Sequence, residues 1–432
     1  MNALRKATNE TFRSLHVRNF RLFFSGQLIS QVGNWLTLIA QTLLVLKLTD
    51  SGIALGALAV AQFGPVLVMG PWAGLIADRS DKRKLLLIVQ MIAMVQSFAL
   101  AALAFSGNPQ VWQIYCIALV GGCTIAFDNP ARRAFVVEMV PQDDMHNAVS
   151  LNSALMTSSR VIGPLFAGAL IYTVGFGWCF LVDAISYTAV LAGLWMMRTE
   201  ESRPSLPTVR AKRQVREGLR YVRSVPELWV PLVMMGVVGT LSYNFQTVFP
   251  LFAKRDLHGS GLTFTILFAV VSVGALIGAL RTARRKTISV RIVALAALAY
   301  GGAMTLMAFA PNSWFAFPLG VVLGVASIEF LTASTSIVQI ESAPEMRGRV
   351  LAIQAMLFLG STPVGGPIVG WISEQFGARY AIGIGAVAAL GAGAWGLSKA
   401  RRVTAARVAA PDLAVTPDED ALATAEVLRN SA

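Results

Sequence analysis

Of the 432 residues, 55% are hydrophobic and only 14% are charged, whereas a soluble domain carries about 25% charged residues. Too few polar side chains remain to cover a water-facing surface of this size, so most of the chain is expected to lie in lipid. The net charge of +13 comes from short Lys/Arg clusters between apolar runs, not from a basic domain with aromatic platforms, which argues against nucleic-acid binding.

Residues 1–19 are polar and basic, and the apolar run after them is longer than the 7–15 residues typical of a signal-peptide core. It is therefore read as a first span that stays in the membrane. Crossing the hydrocarbon core takes about 20 apolar residues as a helix. Twelve such runs follow in order: 20–46, 52–77, 85–105, 111–131, 147–173, 177–197, 228–252, 261–281, 289–310, 313–340, 350–373 and 378–398. With residues 1–19 placed in the cytoplasm, Lys47, Lys254, Arg255 and Arg379 are the outward basic residues, and Arg160 lies within a span. The rest of the 36 Lys and Arg fall inward, the asymmetry expected of cytoplasmic loops.

Residues 20–197 and 228–398 thus form two six-helix halves joined by a polar, basic connection, 198–227. In that connection Val215, Leu219 and Val222 fall at i, i+4 and i+7, which predicts an amphipathic helix on the inner membrane surface near anionic lipid. Residues 399–432, rich in Ala, Pro, Asp and Glu beyond Arg407, are expected to be a disordered cytoplasmic tail. Pro141 and Pro344 begin matching connections, and Gly163-Pro164 matches Gly366-Pro367, both at an offset of 203 residues. The repeat predicts an all-α integral membrane protein whose halves are related by pseudo-two-fold symmetry, with a substrate site between them near the midplane.

Between spans 2 and 3 stands Gly74-Leu-Ile-Ala-Asp78-Arg79-Ser-Asp81-Lys82-Arg83-Lys84. Gly74 and Asp78 lie one turn apart on one helix face. The glycine permits close approach of a neighbouring helix, and the carboxylate suits that helix's positive N-terminal end. The string resembles the signature loop of the major facilitator superfamily, except that Asp81 stands where that family usually has Gly. Four further strings resemble the branch containing the enterobactin exporter and macrolide-efflux proteins. They are Phe127-Asp128-Asn-Pro130-Ala131-Arg132, Asn147-Ala148-Val-Ser-Leu151-Asn152-Ser153, Arg160-Val-Ile-Gly163-Pro164 and Pro344-Glu-Met-Arg347-Gly348-Arg349-Val350.

The resemblance covers about residues 15–400. It implies a secondary transporter in which Asp78 latches one conformational state against span 11, and Lys82 or Arg83 pairs with Asp128. Two departures bear on coupling. Asn34 stands where related carriers often have an acid, and span 4 lacks the Arg-x-x-Gln-Gly string of many drug/proton antiporters.

Ionised side chains at a helix centre cost about 2.5–3.5 kcal/mol on insertion scales, so those inside spans are candidates for function. Glu329 in span 10 and Asp183 in span 6 are the candidate proton carriers, with Arg160 in span 5 as counter-charge or anion contact. Gln31, Asn34, Asn244, Gln246 and Gln354 are candidates to line the cavity; interhelical hydrogen bonding is the competing role for each.

The three cysteines, all in apolar runs, and the three scattered histidines suggest no metal or disulfide framework. No Walker A, H-E-x-x-H or G-x-S-x-G string occurs, so no cofactor and no enzymatic activity are expected. The expected function is export of an amphipathic small molecule, a siderophore or hydrophobic drug, by proton antiport across the bacterial inner membrane. Both termini are placed in the cytoplasm, with no obligate protein partner. A lipid or lysolipid translocator is the alternative within transport; a membrane-embedded enzyme or a channel is the alternative outside it.

Overall fold

The computed structural model describes residues 12–198, 214–283, 285 and 287–409. These contain twelve helical spans long and apolar enough to cross a membrane. The first half holds span 1 (Arg18–Thr49), span 2 (Gly52–Arg79), span 3 (Lys82–Phe105), span 4 (Val111–Met139), span 5 (Met145–Thr173) and span 6 (Phe176–Trp195). In the second half, span 7 comprises Pro226–Ser242, Phe245–Leu251 and a π-helical turn Phe252–Asp256. Span 8 (Gly261–Ala283), span 9 (Val290–Ala308) and span 10 (Ser313–Glu341) follow. Span 11 comprises Pro344–Leu359 and Thr362–Gln375, and span 12 is Ala378–Ala409.

Polar residues at the helix ends fix several of these boundaries. The Ser51, Asp81 and Asn312 side chains accept hydrogen bonds from the backbone N–H groups of Ala54, Lys84 and Trp314, as N-caps of spans 2, 3 and 10. Asp81, the departure from the signature loop, is therefore a helix cap. Spans 5 and 11 are each followed by a turn containing a glycine at positive φ, Gly175 at 96° and Gly377 at 103°, a further landmark of the repeat. Exposed Trp72 and Trp195 ring one rim, and exposed Trp112, Trp178, Trp314 and Tyr380 ring the other, as side chains do at bilayer interfaces.

Packing follows the repeat. Span 2 packs on span 4 as span 8 packs on span 10; span 3 packs on span 6 as span 9 packs on span 12. The two principal contacts between the halves, span 2 with span 11 and span 5 with span 8, exchange under the same pseudo-two-fold operation.

Three expectations are corrected. Spans 7 and 11 are broken helices. In span 11, Pro363 cannot donate to the Leu359 carbonyl, and the helix restarts after Gly360-Ser361. In span 7 the helix breaks at Tyr243-Asn244, where Asn244 Nδ2 donates to the Thr240 carbonyl at 2.6 Å. The breaks meet: a Cβ on Gly365 would lie 1.8 Å from the Thr240 oxygen, so only glycine allows this approach.

Second, the helix of the central connection, Gln214–Ser224, turns its apolar side, with Leu219 and Val222, to protein. Val222 is buried against Val338, Val350 and Ile353, Glu217 pairs with Arg349 at 2.8 Å, and Tyr221 Oη accepts from the Ala343 N–H. The Val215 side chain and residues 199–213 lie outside what the structure describes. Third, the helix of span 12 continues through residues 399–409, the start of the expected disordered tail, while 410–432 lie outside the described residues.

Candidate functional site

A cavity of about 530 Å³ lies between the halves, within the range of small-molecule sites. The two halves furnish it differently. Amides dominate the first-half wall, from Gln31, Asn34, Gln41, Gln62, Gln90 and Gln96. Aromatic rings dominate the second-half wall, from Tyr243, Phe245, Phe268 and Phe358. Tyr243 sits at the break of span 7, and its ring lies 5.4 Å from that of Phe358 beside the break of span 11. The discontinuous helices thus turn their rings into the cavity.

The amide wall is internally bonded. Gln62 Nε2 donates to Gln41 Oε1 at 2.6 Å, Tyr187 Oη donates to Asn34 Oδ1 at 2.6 Å, and Gln90 Nε2 donates to Asp128 Oδ1 at 2.6 Å. Asp128 also pairs with Arg132 one turn on, whose guanidinium meets the Gln31 amide oxygen. Several buried polar atoms of the lining have no hydrogen-bond partner among the described residues: Gln41 Nε2, Gln90 Oε1, Arg132 Nε, Asp183 Oδ1 and Asn244 Oδ1. Such atoms are costly unless water or a ligand meets them, which marks the cavity as a polar site.

Of the residues expected to line the cavity, Gln31, Asn34, Asn244 and Gln246 do so. Gln354 does not; it is buried between helices and donates to Thr335 Oγ1 at 3.0 Å, joining span 11 to span 10.

The charged candidates separate. Asp183 lines the cavity but is fully buried, with Oδ2 accepting from Thr37 at 2.6 Å and Ser97 at 2.8 Å. A Cβ on Gly33 would lie 2.5 Å from Asp183 Oδ1, so glycine lets span 1 close over the carboxylate. Arg160 lines the same cavity. Glu329 faces elsewhere. Its side of span 10 turns toward the end of span 8, where Arg281 and Arg285 pair with it at 2.5 and 3.2 Å. It is neither an isolated carboxylate nor a partner of Arg160.

In the signature loop, the expected pairing of Lys82 or Arg83 with Asp128 is not made. Asp128 is held by Gln90 and by Arg132, a partner four residues away on its own helix. Lys82 pairs instead with Glu138 at 2.8 Å, both buried, and Arg83 donates to the Leu194 and Trp195 carbonyls at the end of span 6. Arg79 is exposed. The Asp78 side chain lies outside what the structure describes. Around Gly74 no heavy atom of the described residues comes within 4 Å of a built Cβ, so the expected close helix approach is absent among them.

The opposite end of span 2 is tightly closed. A Cβ on Gly52 would lie 2.3 Å from the Gly370 oxygen, and one on Gly56 would lie 2.8 Å from Pro367. Polar contacts between the halves converge there. Lys254 pairs with Asp50 at 2.8 Å, Arg255 donates to the Asp50 carbonyl, and the Gly52 N–H donates to Glu374 at 2.5 Å.

Two half-bundles around a central cavity, joined at one end and parted at the other, define a transporter of the major facilitator type. The fold matches a bacterial homologue of the human lysosomal transporter Spinster, solved in an inward-facing and unoccupied conformation. The TM-score is 0.70 at 16% identity, over 89% of this chain and 98% of that one. Residues 9–423 match the model of the transmembrane secretion effector family, and the chain belongs to that family.

Its relatives include macrolide efflux protein A of Streptococcus pyogenes, 22% identical over 84% of this chain and 91% of the relative. They also include the enterobactin exporter EntS of Escherichia coli, 24% identical over 82% and 85%. The family and these relatives are transporters, not enzymes.

The cavity's aromatic wall escaped the sequence reading. Tyr243, Phe245 and Phe358 lie inside apolar runs where rings are ordinary core. The signal was the helix breaker beside each: Asn244, and Gly360-Ser361-Thr362-Pro363.

Proposed function

We propose that this protein exports an amphipathic small molecule, a siderophore or a hydrophobic drug, from the bacterial cytoplasm by alternating access, in exchange for protons. The observation that carries the reading is the two-faced cavity, amide-lined on one side and aromatic on the other, between halves parted at the end that bears the central connection. That end is assigned to the cytoplasm by the distribution of Lys and Arg. The structure is then an inward-facing state, ready to load from inside.

In this cycle Asp78 stabilises the opposite state, in which the signature loop closes on span 11. Asp183 is the favoured proton carrier. It is buried beside the cavity, is held by hydroxyl groups, and has no ion pair among the described residues. Glu329, already neutralised by two arginines, is the weaker candidate.

Efflux from proteoliposomes, with and without a pH gradient, tests the reading. Asp183→Asn is expected to keep substrate binding and lose the response to the gradient, whereas Glu329→Gln is expected to keep the response. A full response in Asp183→Asn removes that residue as carrier. Efflux insensitive to any ion gradient in the wild type removes antiport.

A further inference from the structure

Arg160 is the exposed cation of the cavity without a counter-ion. Among the described residues it has no carboxylate within ion-pairing distance and no hydrogen-bond partner. The other lining guanidinium, Arg132, is neutralised by Asp128. The remaining lining carboxylate, Asp183, is fully buried behind Thr37 and Ser97. A guanidinium at membrane depth is costly and persists where it faces a water-filled cavity or meets a ligand.

Its surroundings are built to hold it in place. The guanidinium carbon lies 5.8 Å from the centre of the Trp35 ring. That ring is seated one turn further along span 5: a Cβ on Gly163 would lie 2.3 Å from the Trp35 Cβ, so glycine is needed there. On its other side Trp35 lies 5.6 Å from Phe268 of the second half. Cation–π attraction holds the planar guanidinium while leaving its N–H groups free to donate.

We propose that the exported molecule is an amphipathic oxyanion, with its carboxylate, sulfonate or phosphate on Arg160 and a flat apolar body against Trp35, Tyr243 and Phe358. The inference rests on the export reading and narrows its substrate class. A guanidinium fork fits an oxyanion in bidentate fashion, and the second-half rings supply the apolar surface. A cationic drug would instead set a like charge against Arg160.

Three fluorescent probes sharing one aromatic body test this: dansylglycine (anionic), dansylamide (neutral) and dansylcadaverine (cationic). Binding is measured to the full chain in phosphatidylcholine nanodiscs. Wild type is expected to bind dansylglycine about 10- to 100-fold more tightly than dansylamide, the range of a charge-assisted hydrogen bond. Arg160→Gln should abolish that preference, Arg160→Lys should retain part of it, and Trp35→Ala should weaken all three probes together.

Equal binding of anion and neutral probe, preference for the cation, no binding of any probe, or an unchanged preference in Arg160→Gln overturns the proposal. An Arg160-dependent anion preference without movement of dansylglycine in proteoliposomes keeps the anion site and removes the export reading. Transport of the neutral or cationic probe alone does the reverse. Competition by lysophosphatidylglycerol but not by uncharged monoacylglycerol supports the oxyanion site with a lipid headgroup as its source. Competition by both overturns it.

Discussion

Spans 2 and 11 run side by side, yet their two ends are built to opposite ends of the packing scale. At the far end, Gly52 and Gly56 bring backbone against backbone, and Asp50, Glu374, Lys254 and Arg255 lace the halves together. Past the contact of Leu67 with Gly360, the same helix shows Gly70 and Gly74 with nothing among the described residues within 4 Å of a built Cβ. All four glycines lie on one helix, but only two are in use. Glycine spacing marks where helices are able to meet, and a transporter that alternates needs such surfaces at both ends, with one of them vacant at any moment.

Filling the occupied end should have the largest effect. Gly370→Val puts side-chain atoms where the Gly52 carbonyl now sits, and such overpacking costs about 1–3 kcal/mol. It is expected to favour opening of the far end by about 10- to 100-fold. Transport should fall accordingly, and a cysteine in the cavity wall should become reactive to a polar label added from the far side. Unchanged labelling would mean that the far-end contact is passive.

The vacant end should respond differently. A Cβ at Gly74 meets no atom of the described residues in this state, so for Gly74→Leu thermal stability is expected to match the wild type while transport drops. Normal transport by Gly74→Leu would show that the two helices never close there. Asp78→Asn removes a charge proposed to act only in the closed form, worth about 1–2 kcal/mol beside a helix N-terminus. Transport is expected to slow by about 5- to 30-fold with membrane insertion intact.

The ionic contacts come next. Asp50 and Lys254 are about half exposed, and exposed ion pairs contribute about 0.2–1 kcal/mol. Asp50→Ala should therefore change far-side labelling of the cavity by no more than about fivefold. The smallest effect is expected for Asp81→Asn. Asparagine caps a helix about as well as aspartate, and transport measured at matched expression should be within error of the wild type.

Much of the architecture was legible because lipid imposes a coarse rule. Spans must be long and apolar, and their connections alternate in charge, so twelve helices and the repeat could be read from the chain. The breaks in spans 7 and 11 were hidden because glycine and proline also occur in unbroken membrane helices. Gln31, Asn34, Asn244, Gln246, Arg160 and Asp183 could be picked out because polar atoms are rare at that depth. Their partners could not. Glu329 was read as a proton carrier with Arg160 as its counter-charge because Arg281 and Arg285 reach it from the end of another helix. Asp128 was assigned a distant partner when Arg132, one turn away, was the nearer cation.

The docked helix Gln214–Ser224 has a mechanical consequence. Held by Val222, Tyr221 and the Glu217–Arg349 pair, it is part of the second half's rigid mass, not a slack tether between bodies. In the proposed alternating-access cycle it is expected to move with spans 10 and 11 relative to the first half. A spin label at exposed Arg220 and another at exposed Gln142 would then act as the two arms of a calliper. The spacing between them would lengthen and shorten with each turnover, giving a ruler for the transport cycle that leaves the cavity untouched.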